Sequence, residues 1–351
     1  MQGDTQRSGA GPVDRDTQRS GAGPVDRDTQ RSGAGPVDRD TQRSGAGPVD
    51  RDTQRSGAGP SSGDTPRGPD RSDPSALRWL IGHELRAARE QAGHTQTAAA
   101  RVLDCTHAKI NYLEQGKNQQ RPDEVVRLLQ SYGAATSDIG RLASLASNAD
   151  RGTWWAPFAD VVPDWLRTFV GLEGLATAAF AYEPLLLHGL LQTRAYATAL
   201  LEDALRVPVV DVERVVGLRL ARQQRLHDRG RPLHYEAVIE ETILDRLVGG
   251  PAVMADQLDH LLRLSEQDNV VIRVMPLAVA VHDGLDGEFT LLDFDAARSI
   301  GYVEFQDGAV YVQDPDRIGG YRTAAARLRS AALPEDASLE VIRARRAALA
   351  P

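Results

Sequence analysis

The chain has 351 residues, with 41 Lys and Arg against 49 Asp and Glu, for a formal net charge of −8 at pH 7. Its one cysteine, Cys105, excludes an intrachain disulfide and a cysteine-based zinc site, and no apolar run reaches the ~18 residues of a membrane span. The N-terminus is polar and lacks the apolar stretch of a signal peptide, so a cytoplasmic protein with no membrane association is expected.

Residues 1–75 are built on a twelve-residue unit, DTQRSGAGPVDR, which runs from Asp16 to Arg27 and recurs from Asp4, Asp28 and Asp40; a fifth copy from Asp52 breaks down after Pro60. One Val per unit offers too little apolar surface to offset chain entropy, so a disordered tail is expected. A solenoid would need a hydrophobic face, which this repeat lacks. Copies this uniform point to a recent expansion of coding sequence: a dispensable linker, or a gene start placed too far upstream. The interleaved Asp argues against a nucleic-acid tether. About 276 residues remain to build a core, enough for one small and one medium domain.

Charge divides unevenly along the chain. The tail has 11 Arg against 12 Asp, residues 76–133 have 8 basic against 6 acidic side chains, and residues 134–351 have 22 Arg against 31 acidic ones. Read globally, a pI near 5.5 argues against nucleic acid. The division instead reveals a slightly basic segment, holding both lysines, Lys109 and Lys117, on an acidic body.

From Leu77 the pattern turns helical. Leu77, Ile81, Leu85 and Ala88 recur at three- and four-residue steps, with Ser75 as the expected N-cap and Gly93 as the stop. Thr95 is placed to cap a second helix whose inner residues, Ala99 and Ala100, are small. After a turn at Asp104-Cys105, Thr106 is placed to cap a third helix, His107 to Gln115, with Ile110 and Leu113 inward and Gly116 at its end. Pro122 opens a fourth, with Val125, Leu128, Leu129 and Tyr132 as its apolar stripe. Two short helices across a tight turn outline a helix-turn-helix. Cys105 reads as core packing.

These residues carry a resemblance. Residues 77–133 resemble the Xre type of DNA-binding domain, the class of the lambda repressor, in Leu85-Arg86-Ala87-Ala88-Arg89 with Gly93, Thr95-Gln96, Ala100, Ile110, Leu113-Glu114-Gln115-Gly116, Pro122, and Leu128-Leu129 with Tyr132. Asp104 departs from the glycine often found at the turn, but Asp tolerates a left-handed backbone. The resemblance implies that α-helical residues Thr106, His107, Ala108 and Lys109, with Asn111 one turn on, face base edges in the major groove of an operator. Gln96 matches the family's phosphate-contacting glutamine, and Tyr112, Gln115 and Lys117 are candidates for backbone contacts.

The acidic body begins with a fifth helix over Thr136–Ala149 and a Trp154-Trp155-Ala156-Pro157 stretch read as a packed linker. Helices are expected over Pro163–Ala178, Leu190–Leu205, Val209–Arg229, Leu244–Val248 and Val253–Gln267, and strands over Ala179–Tyr182 and Leu233–Ile239. Strands then follow at Val270–Met275, Phe289–Phe294, Ile300–Phe305 and Ala309–Gln313, before closing helices at Ile318–Ala332 and Ser338–Ala348. This order predicts an α+β domain with a small antiparallel sheet. The expected division is thus 1–75 tail, 76–150 DNA-binding domain and 151–351 effector or partner domain.

The body is similar to the uncharacterised C-terminal domain that follows Xre-type domains in actinobacterial regulators. The matching stretches are Glu183-Pro184, Gly189 to Thr193, Tyr196-Ala197, Arg219, Arg222-Gln223, Leu226, Ile239-Glu240-Glu241, Leu244, Val274-Met275-Pro276, His282, Gly287, Phe289 and Tyr302-Val303-Glu304. That similarity implies an antitoxin-like regulator working with a small protein encoded nearby. No P-loop, nucleophile elbow or dinucleotide fingerprint is present, no His pair has metal-ligand helical spacing, and neither enzyme activity nor a cofactor or metal is expected. Arg219, Arg222 and Gln223 share a helix face. With Glu240 or Glu304 they would either line a polar pocket for an anionic or nucleotide-like ligand or tie helix to sheet as a buried salt-bridge network. His282, in the segment Leu277–Asp286, belongs to a candidate lid or partner-binding loop. The expected function is a helix-turn-helix transcription regulator, dimeric on an operator with half-sites roughly 34 Å apart. Whether the body binds a protein partner, or acts as a small-molecule sensor or degenerate enzyme, stays open at this level.

Overall fold

The computed structural model describes residues 73–147, 153–202, 204, 207–295, 297–306 and 308–349. They fall in one compact unit, Gly63–Pro351; the repeat, and with it the expectation of a disordered tail, lies outside the described residues.

Helix α1 (Pro74–Gln91) is capped by Asp73 rather than Ser75. Asp73 Oδ1 accepts from the backbone N–H groups of Ser75 at 2.9 Å and Ala76 at 3.3 Å. Pro74 fills the first helical position, where its missing N–H costs nothing. Helices α2 (Gln96–Leu103), α3 (His107–Glu114), α4 (Pro122–Ser131) and α5 (Thr136–Ser147) follow as the periodicity predicts, with Thr95 and Thr106 as caps. Ile81, Leu85, Ala99, Ile110, Leu113 and Leu129 close a core between them. Each fully buried Leu or Ile there contributes about 1.5–3 kcal/mol.

The contact between α1 and α3 is close because Gly82 sits at the crossing. A Cβ on Gly82 would lie 2.6 Å from the Leu113 carbonyl oxygen, so only hydrogen fits. Gly116, at φ +67°, ends α3 and brings its backbone against Trp79 N, 2.7 Å from where a Cβ would stand.

α1 also belongs to a second core. Ala76 and Leu80 pack with Phe169 and Leu172 of α6 (Asp164–Leu175). A Cβ on Gly171 would meet the Asp73 carboxylate at 2.2 Å and Ala76 Cβ at 2.7 Å, so α6 lies directly against the first turn of α1. The expected tryptophan linker is packed here: Trp155 is buried, and its indole N–H donates to Asp73.

The body folds on a six-stranded sheet of β1 (Ala178–Glu183), β2 (His234–Glu240), β3 (Val270–Met275), β4 (Phe289–Asp293), β5 (Ile300–Phe305) and β6 (Gly308–Val312). Strand order is β3-β2-β1-β4-β5-β6. The α+β expectation holds, and β1, β4, β5 and β6 are antiparallel neighbours. The other half differs from the wholly antiparallel sheet expected, because β1, β2 and β3 run parallel. Strand patterning does not encode direction; connection length does. Between β1 and β2 the chain passes through α7 (Arg194–Glu202) and α8 (Val212–Gln223), and between β2 and β3 through α9 (Glu241–Asp245) and α10 (Pro251–Leu264), so it returns to the starting end each time.

Two expected helices are shorter than their apolar patterns. Gly189–Leu191 and Val209–Asp211 form 3-10 turns ahead of α7 and α8. The buried Gln257 amide explains the first interruption: it donates to Leu191 O and accepts from Thr193 N, diverting both groups from a helical ladder. α11 (Pro315–Ala331) covers the Phe180, Tyr182, Val238 and Phe289 face of the sheet. The opposite face, with Ala181, Tyr235, Ile239 and Tyr302, packs on α6, α10 and α12 (Glu335–Ala348).

Candidate nucleic-acid interface

α2, the turn and α3 form a helix-turn-helix. Asp104 takes φ 51°, ψ 53°, the one non-glycine residue at positive φ among the described residues, so aspartate fills the left-handed position the turn requires. Thr106 Oγ accepts from Lys109 N at 3.2 Å, leaving the first N–H groups of α3 directed outward. Cys105 is half-buried, and burial raises its thiol pKa, which favours packing over thiolate chemistry.

α3 is sharply two-sided. Ile110, Leu113 and Glu114 are buried, whereas Thr106, His107, Ala108, Tyr112, Gln115 and Lys117 are exposed and Asn111 is half-exposed. His107, Ala108, Asn111, Tyr112 and Gln115 fall on one stripe at helical spacing. Within it Gln115 Nε2 donates to Asn111 Oδ1 at 2.9 Å, and the Lys117 ammonium lies 5.8 Å from the Tyr112 ring centre.

Two of the sequence-derived residues are held from behind. Lys109 Nζ pairs with Glu124 on α4, drawing its ammonium off the stripe. Gln96 Nε2 donates to Glu114 Oε2 at 2.8 Å. The same carboxylate receives Arg89 through Nε at 2.5 Å and Nη2 at 2.9 Å, both partners buried, while Arg89 Nη1 reaches His94 O at 2.8 Å. This cluster fixes the start of α2 to the end of α3. The Lys109–Glu124 contact bridges two helices and leaves no local sequence signal.

The polar residues singled out in the body fall into two groups, Arg219, Arg222, Gln223 and Glu304 on one face of the sheet and Glu240 with His282 on the other. Arg222 binds Glu173 of α6 through Nε at 2.8 Å and Nη2 at 2.7 Å; Gln223 Nε2 donates to Gly189 O and Gln192 O, and Arg219 to Gln192 Oε1. Glu304 lies on this face, its Oε2 accepting from Tyr302 at 2.9 Å. Glu240 lies on the other, where it accepts from Tyr182 at 2.8 Å and faces His282 Nε2 at 3.3 Å. Strand alternation puts Glu240 across the sheet from Arg219, Arg222 and Gln223, whereas Glu304 stays on their side; the carboxylate that Arg222 hydrogen-bonds is that of Glu173. The hydrogen bonds of Arg222 and Gln223 run from α8 to α6 and to Gly189 and Gln192, helix to helix and loop rather than helix to sheet.

Compared with known protein families, residues 80–142 match a helix-turn-helix domain, and residues 166–344 match a domain of unknown function (DUF5753). The second match spans just over half of the chain. The chain belongs to the DUF5753 family. Comparison with curated proteins and with solved structures returns no match. The helix-turn-helix match points to a DNA-binding regulator. No helix among the described residues is long and apolar enough to cross a membrane, and no group of three or more His, Cys, Asp or Glu among them is arranged to hold a metal ion.

Inside the DUF5753 part the structure joins Glu304, singled out from sequence, to Glu183 and to Glu288, which sequence reasoning missed. The register sets Tyr182 opposite Phe289 and Thr290 opposite Tyr302, which brings Glu183, Glu288 and Glu304 into one row across β1, the start of β4, and β5. Burial, reinforced by Glu288 and Glu304, raises the Glu183 carboxyl well above the usual range. Burial and Arg222 lower Arg219, on the same face, to about 10. Strand register alone could have revealed this row, and register is not written in single-strand patterns.

Proposed function

We propose that this chain is a sequence-specific transcription regulator in which α3 reads base edges in the major groove. The observation that carries this reading is the outward stripe of His107, Ala108, Asn111, Tyr112 and Gln115 beside the capped N-terminus of α3. In this reading His107 and Asn111 offer donors and acceptors to bases, Ala108 meets a thymine methyl, and Thr106, Gln115 and Lys117 hold phosphates. Gln96 positions the N-terminus of α2 against the backbone, and Lys109 acts through its lock on Glu124 more than through a base. A single module of this size binds weakly, which favours a homodimer on a two-half-site operator.

Selection from random DNA duplexes, followed by anisotropy titration, tests this. One enriched sequence is expected, with His107→Ala and Asn111→Ala each costing about 1–3 kcal/mol and relaxing preference at one position. Absence of enrichment, or unchanged affinity in both variants, overturns it.

For the body we favour a protein-partner role, antitoxin-like and autoregulating a two-gene pair in the cytoplasm. Support comes from Leu277, Val281 and Leu285, which are 69%, 82% and 64% exposed in the loop before β4. That loop is pinned rather than loose: His282 faces Glu240, and Gly284 packs on the Tyr182 ring. Co-purification with the small protein of the adjacent gene, lost in Val281→Asp/Leu285→Asp, is expected; co-purification insensitive to both changes rules the loop out.

A further inference from the structure

Glu183, Glu288 and Glu304 stand side by side on β1, the start of β4, and β5, with cross-strand Cβ neighbours about 5 Å apart. Like charges set opposite one another in a sheet are destabilising, so such a row asks for compensation. The cations on this face give little. Arg222 is taken up by Glu173 at 2.7 Å, and Arg219 donates to Gln192 Oε1. Glu304 Oε2 accepts from the Tyr302 hydroxyl at 2.9 Å. Glu183 and Glu288 make no hydrogen bond and no ion pair among the described residues.

Glu183 is the member that points to a ligand. It is only 8% exposed, and burial together with the Glu288 and Glu304 charges raises its carboxyl. A buried carboxyl without a partner is costly to keep. Its oxygens are nonetheless within reach of solvent: Tyr235 Oη, on the same face, is sealed and unpartnered, whereas neither Glu183 oxygen is sealed. Glu288 and Glu304 beside it are half-buried. The place suits an incoming molecule. The row lies at the carboxyl end of β1, from which the chain leaves toward α7 on the α6 side of the sheet, while the segment entering β4 arrives on the α11 side, with Gly284 against the Tyr182 ring. In open sheets with parallel strands, crevices form where connections part in this way.

The complement of the row is an extended cation rather than a point charge. The three carboxylates are spread along a line across the strands, and no group of three or more His, Cys, Asp or Glu among the described residues is arranged to hold a metal ion. With Arg222 neutralised by Glu173, three ionised carboxylates against Arg219 leave two negative charges. We propose that the row binds a linear alkyl diamine or polyamine, whose ammonium groups bridge the Glu183, Glu288 and Glu304 carboxylates. The alkyl chain suits the apolar surface next to Glu183, where Leu185 and Leu186 are 61% and 37% exposed. The site goes beyond the operator and the protein partner proposed above and depends on neither.

Putrescine and spermidine are the probes, and butylamine, with one ammonium group, is the control. Calorimetry on the full chain at about 0.15 M salt, where exposed charges are largely screened, should show saturable binding of both probes and at least tenfold weaker binding of butylamine. Glu183→Gln should weaken putrescine about tenfold while its melting temperature without ligand stays level or rises, because the amide relieves the like-charge crowding. Glu288→Gln should weaken putrescine about fivefold, and Glu266→Gln, an exposed acid ahead of β3, should leave it unchanged. No saturable binding of either probe, butylamine as tight as putrescine, or unchanged affinity in Glu183→Gln or Glu288→Gln would overturn the site. So would equal weakening by Glu266→Gln, which would reduce the effect to the charge of the whole chain. A Glu183→Gln protein that melts well below wild type would also overturn it, by giving that carboxyl a structural duty.

Discussion

At the scale of single residues, two buried ion pairs lock helices together: Arg89–Glu114 between α1 and α3, and Arg222–Glu173 between α8 and α6. Removing one partner strands a buried charge. Glu114→Ala should therefore cost about 3–5 kcal/mol in urea unfolding, whereas Arg89→Met/Glu114→Leu should recover most of that loss. His188 supplies a pH signature. Its Nδ1 accepts from Leu190 N at 3.3 Å, which requires a neutral ring, and burial together with Arg222 lowers its pKa to about 4. An unfolded histidine titrates near 6.5, so the unfolded chain takes up protons first as pH falls. The His188 contribution is thus complete above about pH 6.5 and lost progressively toward pH 4, at most about 3 kcal/mol because the ring keeps some solvent contact. The stability of His188→Gln should fall less steeply than wild type over that window. Glu183 works in the opposite sense, since a raised carboxyl stabilises as it protonates, which is why the comparison with the variant, and not the raw slope, is the test. Local chemistry of this kind was partly legible: Thr95, Thr106 and Asp104 act on neighbours within four residues. Glu173 and Glu124 were not, because their partners come from distant helices.

At the scale of elements, glycines set how closely helices approach. Gly82→Ala should strain the α1–α3 crossing against backbone oxygen and lower the melting temperature, since no side-chain rotation relieves it. Gly171→Ala should act differently, pressing on the Asp73 carboxylate and Ala76. Hydrogen exchange is expected to quicken in the first two turns of α1 while α3 and α4 keep their protection; uniform quickening would show that the first turn is not separately held. All six strands were legible as short apolar or alternating runs, several of them bounded by turn residues. Their directions were not, since direction depends on where intervening helices deliver the chain. The interruption before α7 was missed for a related reason: periodicity counts apolar faces and does not see a buried glutamine taking backbone groups out of the ladder.

At the scale of the whole molecule, the decisive element is α1, which places Ala76 and Leu80 in the core of the body and Ile81 and Leu85 in the core of the DNA-binding helices. Nothing in the amphipathic pattern of α1 distinguishes these uses, because both cores ask only for an apolar residue at helical spacing. The division of the chain into a basic and an acidic part was legible from charge; the helix that joins them was not. Deleting residues 1–72 should leave melting temperature and operator affinity nearly unchanged. Extending the deletion through Asp73, or substituting Asp73→Ala, should cost about 1–2 kcal/mol through loss of the cap and of the Trp155 contact.

The double membership of α1 bears on portability. Reading heads of regulators are often treated as interchangeable parts, to be cut off and grafted onto other sensory domains. This one would carry away a helix whose other side, Asp73, Ala76 and Leu80, is cut to fit α6 and the Trp155 that precedes it. A working chimera would have to import that seat as well, or repaint the bare side of α1 with polar residues.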